Sequence, residues 1–466
     1  MPAVTLTVLA LAAAVLCPLP GAAQGDALPI TFSAPVNVSQ TPTYSQVPAL
    51  AIDGAGGVYT MWEERGGNRL LFSRSEDGGR TFSEPAFVVP GDWDLSFGQI
   101  RLASGGPGDL QAVFTSFNTS TGGAEIVHVA SSDAGETFPS PRAISAIDFW
   151  NSVVADVATG WGVAVVWTNS GLDTGVTTID FSVSLDGGET FSIPKRIDTT
   201  SGDKSSPAVG VYGDDDVYVA WVQNEDPLGA DEGFEIVFSR STDGGVTFSV
   251  PVNISNNAEK SWPPRMAVDD AGAIYLVWPE GYFTTDMKLL FSTSLDGGMT
   301  FSEPRLVAGP MAWVEGCIAA MGDGVVWLAW GAWASPYDPF TYESYVARSL
   351  DGGMTFSAPA PSPGALAIAS TNREELFIAW HEALGPEDPP EVFVTRGEAV
   401  LCGDANVDGT IAATDALVAL QAGVGAAECL QCRCDVNAAG GVSATDALLI
   451  LSAAVGQPVT LACPPC

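Results

Sequence analysis

The sequence predicts an all-β protein, a seven-bladed β-propeller closed by its N-terminal strand and followed by a small helical module. Three observations lead to this fold class. An eight-residue phrase occurs six times, an aromatic residue recurs seven times between the copies, and the composition changes at Cys402. Regular repeats with strand-like flanks are typical of propellers or solenoids. The 51 glycines and 32 prolines fit many strands joined by tight turns.

Residues 1–23 are expected to form a secretory signal peptide. Leu6 to Leu16 is apolar, Pro18 and Pro20 interrupt it, and Gly21-Ala22-Ala23 offers small residues for cleavage. This run is too short to span a bilayer, and we expect no transmembrane segment elsewhere. We therefore expect an exported protein, which is secreted or held at the cell surface or in the periplasm. Export would place its cysteines in an oxidising compartment.

The charge of the chain is strongly acidic. Lys and Arg number 18 against 55 Asp and Glu, which gives a formal net charge of −37. Such a field repels phosphate backbones and anionic lipids, so nucleic acid is not an expected partner.

The repeated phrase is first seen from Ser75 to Phe82, as Ser-Glu-Asp-Gly-Gly-Arg-Thr-Phe. Its aspartates fall at positions 77, 133, 186, 243, 296 and 351. Ser and Asp side chains can accept bonds from backbone N–H groups a few residues on, and Gly supplies a positive φ. The phrase therefore predicts a tight hairpin anchored by its Phe. It resembles the Asp box (BNR repeat) of sialidases and related propellers. That resemblance implies that the six aspartates are structural and lie on the face away from the active centre.

The number of blades follows from the aromatic positions. They are Trp62, Phe114, Trp167, Trp221, Trp278, Trp330 and Trp380. This count exceeds the six phrases by one, and the seventh unit ends at residues 391–396 without a phrase. Residues 31–39 read like the fourth strand that follows each phrase, so we expect them to pair with residues 391–396. Closing the ring in this way removes exposed sheet edges. The propeller would span residues 26–400, with six blades as the alternative.

Aromatic residues beside carboxylates mark the loops opposite the phrases. Loops joining one blade to the next carry Trp93, Trp150, Trp262 and Trp313, and a further aromatic and acidic loop runs from Trp333 to Tyr345. Indoles stack on apolar faces of sugars while carboxylates bind hydroxyl groups. The four loop tryptophans therefore predict a glycan- or protein-binding surface, unless they pack between the blades.

The resemblance to sialidases implies three arginines that hold a substrate carboxylate, a Tyr–Glu nucleophile pair and an Asp acid/base. Arg101 and Arg265 stand at expected starts of inner strands, and Glu280 and Tyr282 are weak candidates for the pair. No Phe-Arg-Ile-Pro motif occurs in the sequence. Residues 44–49, the stretch that corresponds to that motif, contain no arginine. His128 and His381 have no partners of a triad or metal type. Catalysis is therefore left open.

Residues 401–466 are predicted to form a separate calcium-binding module. One loop of EF-hand type offers Asp404, Asn406, Asp408, the Thr410 carbonyl and Asp415. A second loop offers Asp435, Asn437 and Asp446. It should bind Ca²⁺ more weakly, because Ala439 stands where a fifth-position ligand is expected. The two loops, each opening a helix with Asp-Ala-Leu, resemble a type I dockerin. That resemblance implies a cohesin-like protein partner.

Six cysteines belong to this module. They are Cys402, Cys429, Cys432, Cys434, Cys463 and Cys466. Export favours three disulfides, with fifteen possible pairings. A zinc site built from the two Cys-x-x-Cys pairs is the alternative. Cys317, in the sixth blade, is expected to be a buried free thiol.

Three functions remain from the sequence. The first is a propeller that binds glycan or protein ligands without catalysis and is tethered by the dockerin-like module. The second is an exo-α-sialidase or other glycoside hydrolase. The third is a purely structural surface component.

Overall fold

The computed structural model describes residues 30–463. Positions outside the description within that range are 42, 66–68, 89–99, 119–122, 148–154, 171–176, 199, 225–232, 258, 282–285, 312, 334–341, 372–373, 384, 386–387, 400–401, 407–410, 458 and 460. The strands form seven antiparallel sheets.

The N-terminal strands are β1 (Ile30–Phe32) and β2 (Val36–Asn37). Blade 1 contains β3 (Ser45–Ile52), β4 (Val58–Glu64), β5 (Arg69–Ser75) and β6 (Ala86–Phe87). Blade 2 contains β7 (Arg101–Gly106), β8 (Asp109–Asn118), β9 (Gly123–Ser131) and β10 (Arg142–Ile147). Blade 3 contains β11 (Ala155–Thr159), β12 (Val163–Ser170), β13 (Thr177–Ser184) and β14 (Lys195–Arg196). Blade 4 contains β15 (Asp203–Tyr212), β16 (Asp216–Asn224), β17 (Phe234–Ser241) and β18 (Val252–Asn253).

Blade 5 contains β19 (Arg265–Val268), β20 (Ile274–Glu280), β21 (Met287–Ser294) and β22 (Arg305–Met311). Blade 6 contains β23 (Trp313–Met321), β24 (Val325–Trp333), β25 (Tyr342–Ser349) and β26 (Ala360–Ser362). Blade 7 contains β27 (Ala367–Ala369), β28 (Glu375–Ala383) and β29 (Pro390–Ala399).

The ring closes through the N-terminal strands, as the aromatic positions predicted. The first strand of each blade contacts that of the next, and β27 of blade 7 contacts β3 of blade 1. Both β1 and β2 pair antiparallel with β29, with Ile30 opposite Ala399 and Val36 opposite Val394. The prediction of seven blades is confirmed, and the six-bladed alternative is wrong. The outer strand of blade 7 is therefore formed by β1 and β2, from the N-terminal end of the described chain.

The hydrophobic core lies between neighbouring blades. The seven recurring aromatics, from Trp62 to Trp380, are all buried on the second strands. Several of these indoles donate to a polar side chain two residues on, as Trp221 Nε1 does to Gln223 Oε1 at 3.2 Å. This pairing satisfies a donor that burial would otherwise leave without water.

The eight-residue repeats form the predicted locked hairpins between the third and fourth strands. In blade 4, Asp243 accepts bonds from the Ser241 hydroxyl at 2.7 Å, the Thr247 hydroxyl at 2.6 Å and the Thr247 N–H at 2.7 Å. The Ser241 hydroxyl in turn accepts the Gly245 N–H at 2.9 Å. The other five copies repeat these bonds. The Thr247 hydroxyl, above all, holds the pKa of Asp243 down at about 2.

Each hairpin also fastens its blade to the preceding one. Phe138, which ends the second repeat, packs edge-on against Phe72 of blade 1 with ring centroids 5.1 Å apart. A Cβ at Gly135 of that repeat would overlap the same ring, so only glycine fits there. The Arg74 guanidinium of blade 1 donates to the Ala134 carbonyl at 3.1 Å. The repeats therefore stabilise the contacts between blades as well as their own turns.

The C-terminal module contains α1 (Ala413–Gly423), α2 (Gln431–Cys434) and α3 (Ala444–Ala454), and α1 packs against α3. Arg433 in α2 donates to both carboxylate oxygens of Glu374, the residue before β28 of blade 7, with Nη1 to Oε1 at 2.7 Å. Both side chains are buried. A bidentate contact of this kind fixes direction as well as distance, so it orients the module against the propeller.

Two disulfides cross-link this module, Cys402–Cys463 and Cys429–Cys434. The zinc alternative is wrong, because Cys429 and Cys463 form disulfides outside their own Cys-x-x-Cys pairs. Cys466 lies outside the described residues, so the third predicted disulfide stays a prediction. Cys317 is a buried free thiol, as expected.

Candidate functional site

The two faces of the ring differ in what they carry. The repeat face bears the repeat hairpins and the turns between first and second strands. The connection face bears the blade connections and the loops between second and third strands. Each first strand starts at the connection face, so residues at these starts surround the central axis there. Charged side chains from four blades meet at this position.

Arg101 opens β7 and Asp156 lies near the start of β11. Arg101 Nε is 3.5 Å from Asp156 Oδ1, and Asp156 Oδ2 accepts the Val209 N–H at 2.9 Å. Burial, followed by the positive charge of Arg265, lowers the pKa of Arg101 to about 10. Burial also raises the pKa of Asp156, against the attraction of Arg101. Both groups thus sit where water screens charge poorly.

Arg265 opens β19, and its Nη2 is 3.9 Å from Glu315 Oε1 on β23. The side chains are 27% and 44% exposed, so this pair is more open to solvent than Arg101 and Asp156. Arg265 belongs to blade 5 and Arg101 to blade 2, yet the charge of one lowers the pKa of the other. The structure therefore brings together two arginines that were separate candidates in the sequence.

Glu280 lies at the end of β20, and its carboxylate accepts hydrogen bonds from β20 and from the connection between blades 4 and 5. Its Oε2 accepts Asn257 Nδ2 at 2.7 Å and Trp278 Nε1 at 3.4 Å. Burial raises its pKa. Tyr282, its predicted partner, lies outside the described residues.

Of the four tryptophans predicted to form a binding surface, only Trp262 has a described side chain. Trp262 is partly buried, its indole donates to the Gly281 carbonyl at 2.8 Å, and Lys260 Nζ lies 4.7 Å from its ring centroid. Trp93 and Trp150 lie outside the described residues, and Trp313 is described only in its backbone, within β23. The tryptophan prediction is therefore untested as a whole, although Trp262 packs against the core between blades 5 and 6.

A groove on the connection face lies between blades 6 and 7 and was not predicted as a site. Its volume is about 660 Å³. Its principal side chains are Trp333, Tyr342, Glu343, Tyr345, His381 and Glu382. The negative charge of Glu315 acts on both Tyr342 and His381, so the groove adjoins the central cluster. The only sequence signal was the aromatic and acidic loop that begins at Trp333 and ends at Tyr345.

Among the described residues of the C-terminal module, four carboxylates are completely buried: Asp404, Asp415, Asp435 and Asp446. Asp415 accepts the Asn406 N–H at 3.0 Å and the Ala412 N–H at 2.8 Å. Asp446 makes the equivalent bonds to Asn437 and Ser443, at 3.3 and 2.9 Å. The two predicted loops therefore share one local geometry.

Asp408 and Thr410, two of the predicted calcium ligands, lie outside the described residues. Within the part of the chain that is described, no three His, Cys, Asp or Glu side chains group as a metal site. The donors of the first loop are carboxylate, amide and carbonyl oxygens, which is the set that Ca²⁺ prefers. Among the described helices, none is long and apolar enough to cross a membrane.

No protein-family model matches the chain, and no curated protein is similar to it in sequence. Solved structures share its fold at low identity. A PL25 ulvan lyase bound to -[GlcA(1-4)Rha3S]- is 12% identical with a TM-score of 0.51, over 77% of this chain and 95% of that one. An α-L-arabinanase from Penicillium chrysogenum is 15% identical with a TM-score of 0.47, over 78% and 98% of the two chains.

A Hadza microbial sialidase is 11% identical with a TM-score of 0.45, over 78% of this chain and 68% of that one. Identities this low establish the fold alone. The chain is a seven-bladed β-propeller, and its architecture is similar to that of the PL25 ulvan lyase.

Proposed function

We propose that this chain is an exported propeller that binds a glycan at the central axis of its connection face, and that the glycan carries a carboxylate or sulfate. The observation that supports the proposal is the convergence of Arg101 and Arg265 from blades 2 and 5. Guanidinium groups bind carboxylates and tetrahedral oxyanions through paired N–H donors. Two of them around one axis offer N–H donors for an oxyanion, and each is paired with a carboxylate in this structure.

The ion pair between Arg265 and Glu315 is the weaker of the two, so a ligand can exchange with Glu315. Arg265 and Glu315 are 3.9 Å apart and partly exposed, and such pairs contribute little to stability. A ligand oxyanion can therefore replace Glu315 at Arg265 at small cost. Arg101 lies closer to its partner Asp156 than Arg265 does to Glu315. Arg101 would keep that partner and add a fixed positive charge near the bound oxyanion.

The test is a glycan array that includes uronate, sulfated, sialylated and neutral oligosaccharides, followed by calorimetry with any that bind. Arg265→Gln should weaken binding of the acidic glycan at least tenfold with an unchanged melting temperature. Arg142→Gln is the matched control, because Arg142 lies on the repeat face beside Glu189. Loss of binding in the control, or retention in Arg265→Gln, would contradict the proposal.

Catalysis of the sialidase type is the alternative on the same cluster. Hydrolysis of a fluorogenic sialoside by the full chain, abolished by Arg265→Gln, would support it. If no glycan binds and no sialoside is hydrolysed, a purely structural role at the cell surface is favoured.

For the C-terminal module we propose a calcium-stabilised tether that binds a cohesin-like protein. Two sets of apolar side chains, at matching positions of α1 and α3 and just beyond their ends, support this role. They are Leu417, Leu420 and Val424 in the first set and Leu448, Leu451 and Val455 in the second, all at least 40% exposed. Exposed apolar patches on such a small module are typical of protein interfaces. The disulfides and the lack of a membrane-spanning helix among the described residues are consistent with an extracellular location.

A further inference from the structure

We infer that the groove between blades 6 and 7 is a second binding site, and that it takes an uncharged oligosaccharide of a few sugar units. This site is distinct from the arginine cluster and does not depend on it. The groove volume of about 660 Å³ lies within the range of roughly 300–1,000 Å³ that is usual for small-molecule sites.

The aromatic floor of the groove is built by strand pairing. Trp333, the last residue of β24, stands opposite Tyr342, the first residue of β25. Their ring centroids are 5.8 Å apart and their planes meet at 66°. The side chains are 37% and 42% exposed, so parts of both rings remain open to a ligand. Exposed rings at a fixed angle can cover two successive faces of a sugar chain.

Glycines hold this floor in place. A Cβ at Gly331, two residues before Trp333, would overlap the hydroxyl of Tyr342. A Cβ at Gly364, in the connection from blade 6 to blade 7, would overlap the indole of Trp380. Both glycines have ordinary φ, so it is space for the neighbouring ring that requires them. Each ring is thereby seated deeper in the surface than a larger residue would permit.

The polar groups of the groove suit hydroxyls better than charges. Glu343 accepts the Tyr345 hydroxyl, and Glu382 accepts Trp380 Nε1 at 3.2 Å. Each carboxylate retains further acceptor positions for ligand hydroxyls. No Lys or Arg occurs among the described residues that line the groove. Burial lowers the pKa of His381, which disfavours its charged form, and His381 Nδ1 accepts the Val47 N–H at 3.4 Å. An anionic ligand is therefore disfavoured.

A cationic ligand is the other chemistry that aromatics and carboxylates can serve. Strong cation binding needs the cation over a ring face, and several rings that close around it. Here Tyr345 is stacked on Trp330, with centroids 5.9 Å apart and planes at 27°, so one of its faces is covered. The remaining open surface is an angled floor with acceptors on its rim, which matches a hydroxyl-rich, uncharged chain.

The experiment uses the full chain and four neutral probes: cellotetraose, xylotetraose, mannotetraose and arabinotetraose. Saturation-transfer NMR finds which of them binds, and calorimetry measures the affinity. We expect at least one to bind, and Trp333→Ala and Tyr342→Ala each to weaken it at least tenfold with unchanged melting. Tyr44→Ala is the matched control, because Tyr44 is an exposed tyrosine on the connection face between blades 7 and 1.

Further variants separate this site from other possibilities. Glu343→Gln should weaken neutral binding less than threefold, because the amide still bonds to hydroxyls. Neutral probes and acidic glycans are titrated separately, so the failure of one proposed site does not imply failure of the other. Binding that survives Trp333→Ala, or binding by none of the four probes, would overturn the inference. Binding of hexalysine that is lost in Glu343→Gln, without binding of any probe, would assign the groove to cations instead.

Discussion

Acidic side chains serve two different purposes at the scale of single residues. The aspartates of the repeats accept bonds within their own hairpins, which holds the pKa of Asp133, Asp186, Asp243 and Asp296 at about 2. Asp53 has a related role in blade 1, where it accepts the Tyr59 hydroxyl at 2.7 Å and the Gly108 N–H of blade 2 at 3.0 Å. These carboxylates stabilise turns. Asp156 and Glu315 at the axis instead balance arginines.

His128 also has a structural role, with a consequence for pH dependence. It is buried in blade 2, bonds Gln111 Oε1 through Nε2 at 2.7 Å, and packs against Phe191. Burial lowers its pKa to about 4. The equivalent position is Phe72, Phe181, Phe238 or Phe291 in four other blades. His128 therefore fills a site that suits a neutral ring.

We predict that stability falls as pH drops from about 6.5 to 4 because of this histidine. The unfolded chain takes up the proton first, at about pH 6.5, so the stabilisation is complete above that value and is lost as pH falls through the folded pKa. The shift corresponds to at most roughly 3 kcal/mol. His128→Phe should remove that part of the slope, measured as the difference in urea unfolding between variant and parent at several pH values.

The reciprocal variant is the control for this prediction. Phe181→His places a histidine at the matching position of blade 3, and should add a loss of stability over the same pH range. Identical pH profiles for parent and His128→Phe would show that His128 is not held neutral in the folded protein.

At the scale of elements, ring closure depends on β29, the strand of blade 7 that pairs with the N-terminal strands. β29 has β28 on one side, and only the short strands β1 and β2 on the other. Their backbone bonds extend beyond the strands, as the Val38 N–H donates to the Val392 carbonyl at 2.9 Å. Because ring closure depends on these few residues, the N-terminal segment covers an edge that would otherwise pair with other chains.

We predict that a chain starting at Gln40 aggregates, whereas one starting at Ile30 is monomeric. The longer chain keeps β1 and β2, and the shorter chain exposes the hydrogen-bonding groups along β29. Light scattering after size-exclusion chromatography and thermal melting would compare the two. Equal size and equal melting temperature in both chains would show that β1 and β2 are not needed for closure.

At the scale of the whole molecule, the C-terminal module is attached by more than its connecting residues. The buried Arg433–Glu374 pair joins α2 to blade 7, and within the module the Gly403 N–H donates to the Arg433 carbonyl at 2.9 Å. Removal of one partner from a buried ion pair typically costs about 3–5 kcal/mol, because the other charge is left without compensation. The orientation of the module is thus set by blade 7.

We predict that Ca²⁺ stabilises this module and leaves the propeller unchanged. A site occupied at a hundred times its Kd gains about 2.7 kcal/mol by mass action, so EDTA should lower the melting temperature of the module. Asp404→Asn should abolish the tighter of two binding events in calorimetry on the full chain, since the second loop lacks a ligand at Ala439. Asp214→Asn, in an exposed turn of blade 4, is the control. Two equally tight sites, or no heat of binding, would contradict the prediction.

The sequence by itself determined the architecture, because local chemistry was repeated with a regular period. The Ser, Asp, Gly and Thr of each repeat lock a hairpin through bonds within eight residues, so six copies revealed six blades. The unmatched aromatic at Trp380 and the unmatched strand near residue 36 revealed the seventh. The cysteine content of the module likewise predicted disulfides, although not their pairing.

The binding surfaces were decided only by the tertiary structure. Arg101 and Arg265 are far apart in the chain, and they meet because first strands from opposite parts of the ring share one axis. The groove needed Gly331 and Gly364 to seat the rings of Tyr342 and Trp380, which no spacing in the sequence encodes. Contacts between blades depend on ring closure and blade tilt, and these are properties of the assembled propeller rather than of any one repeat.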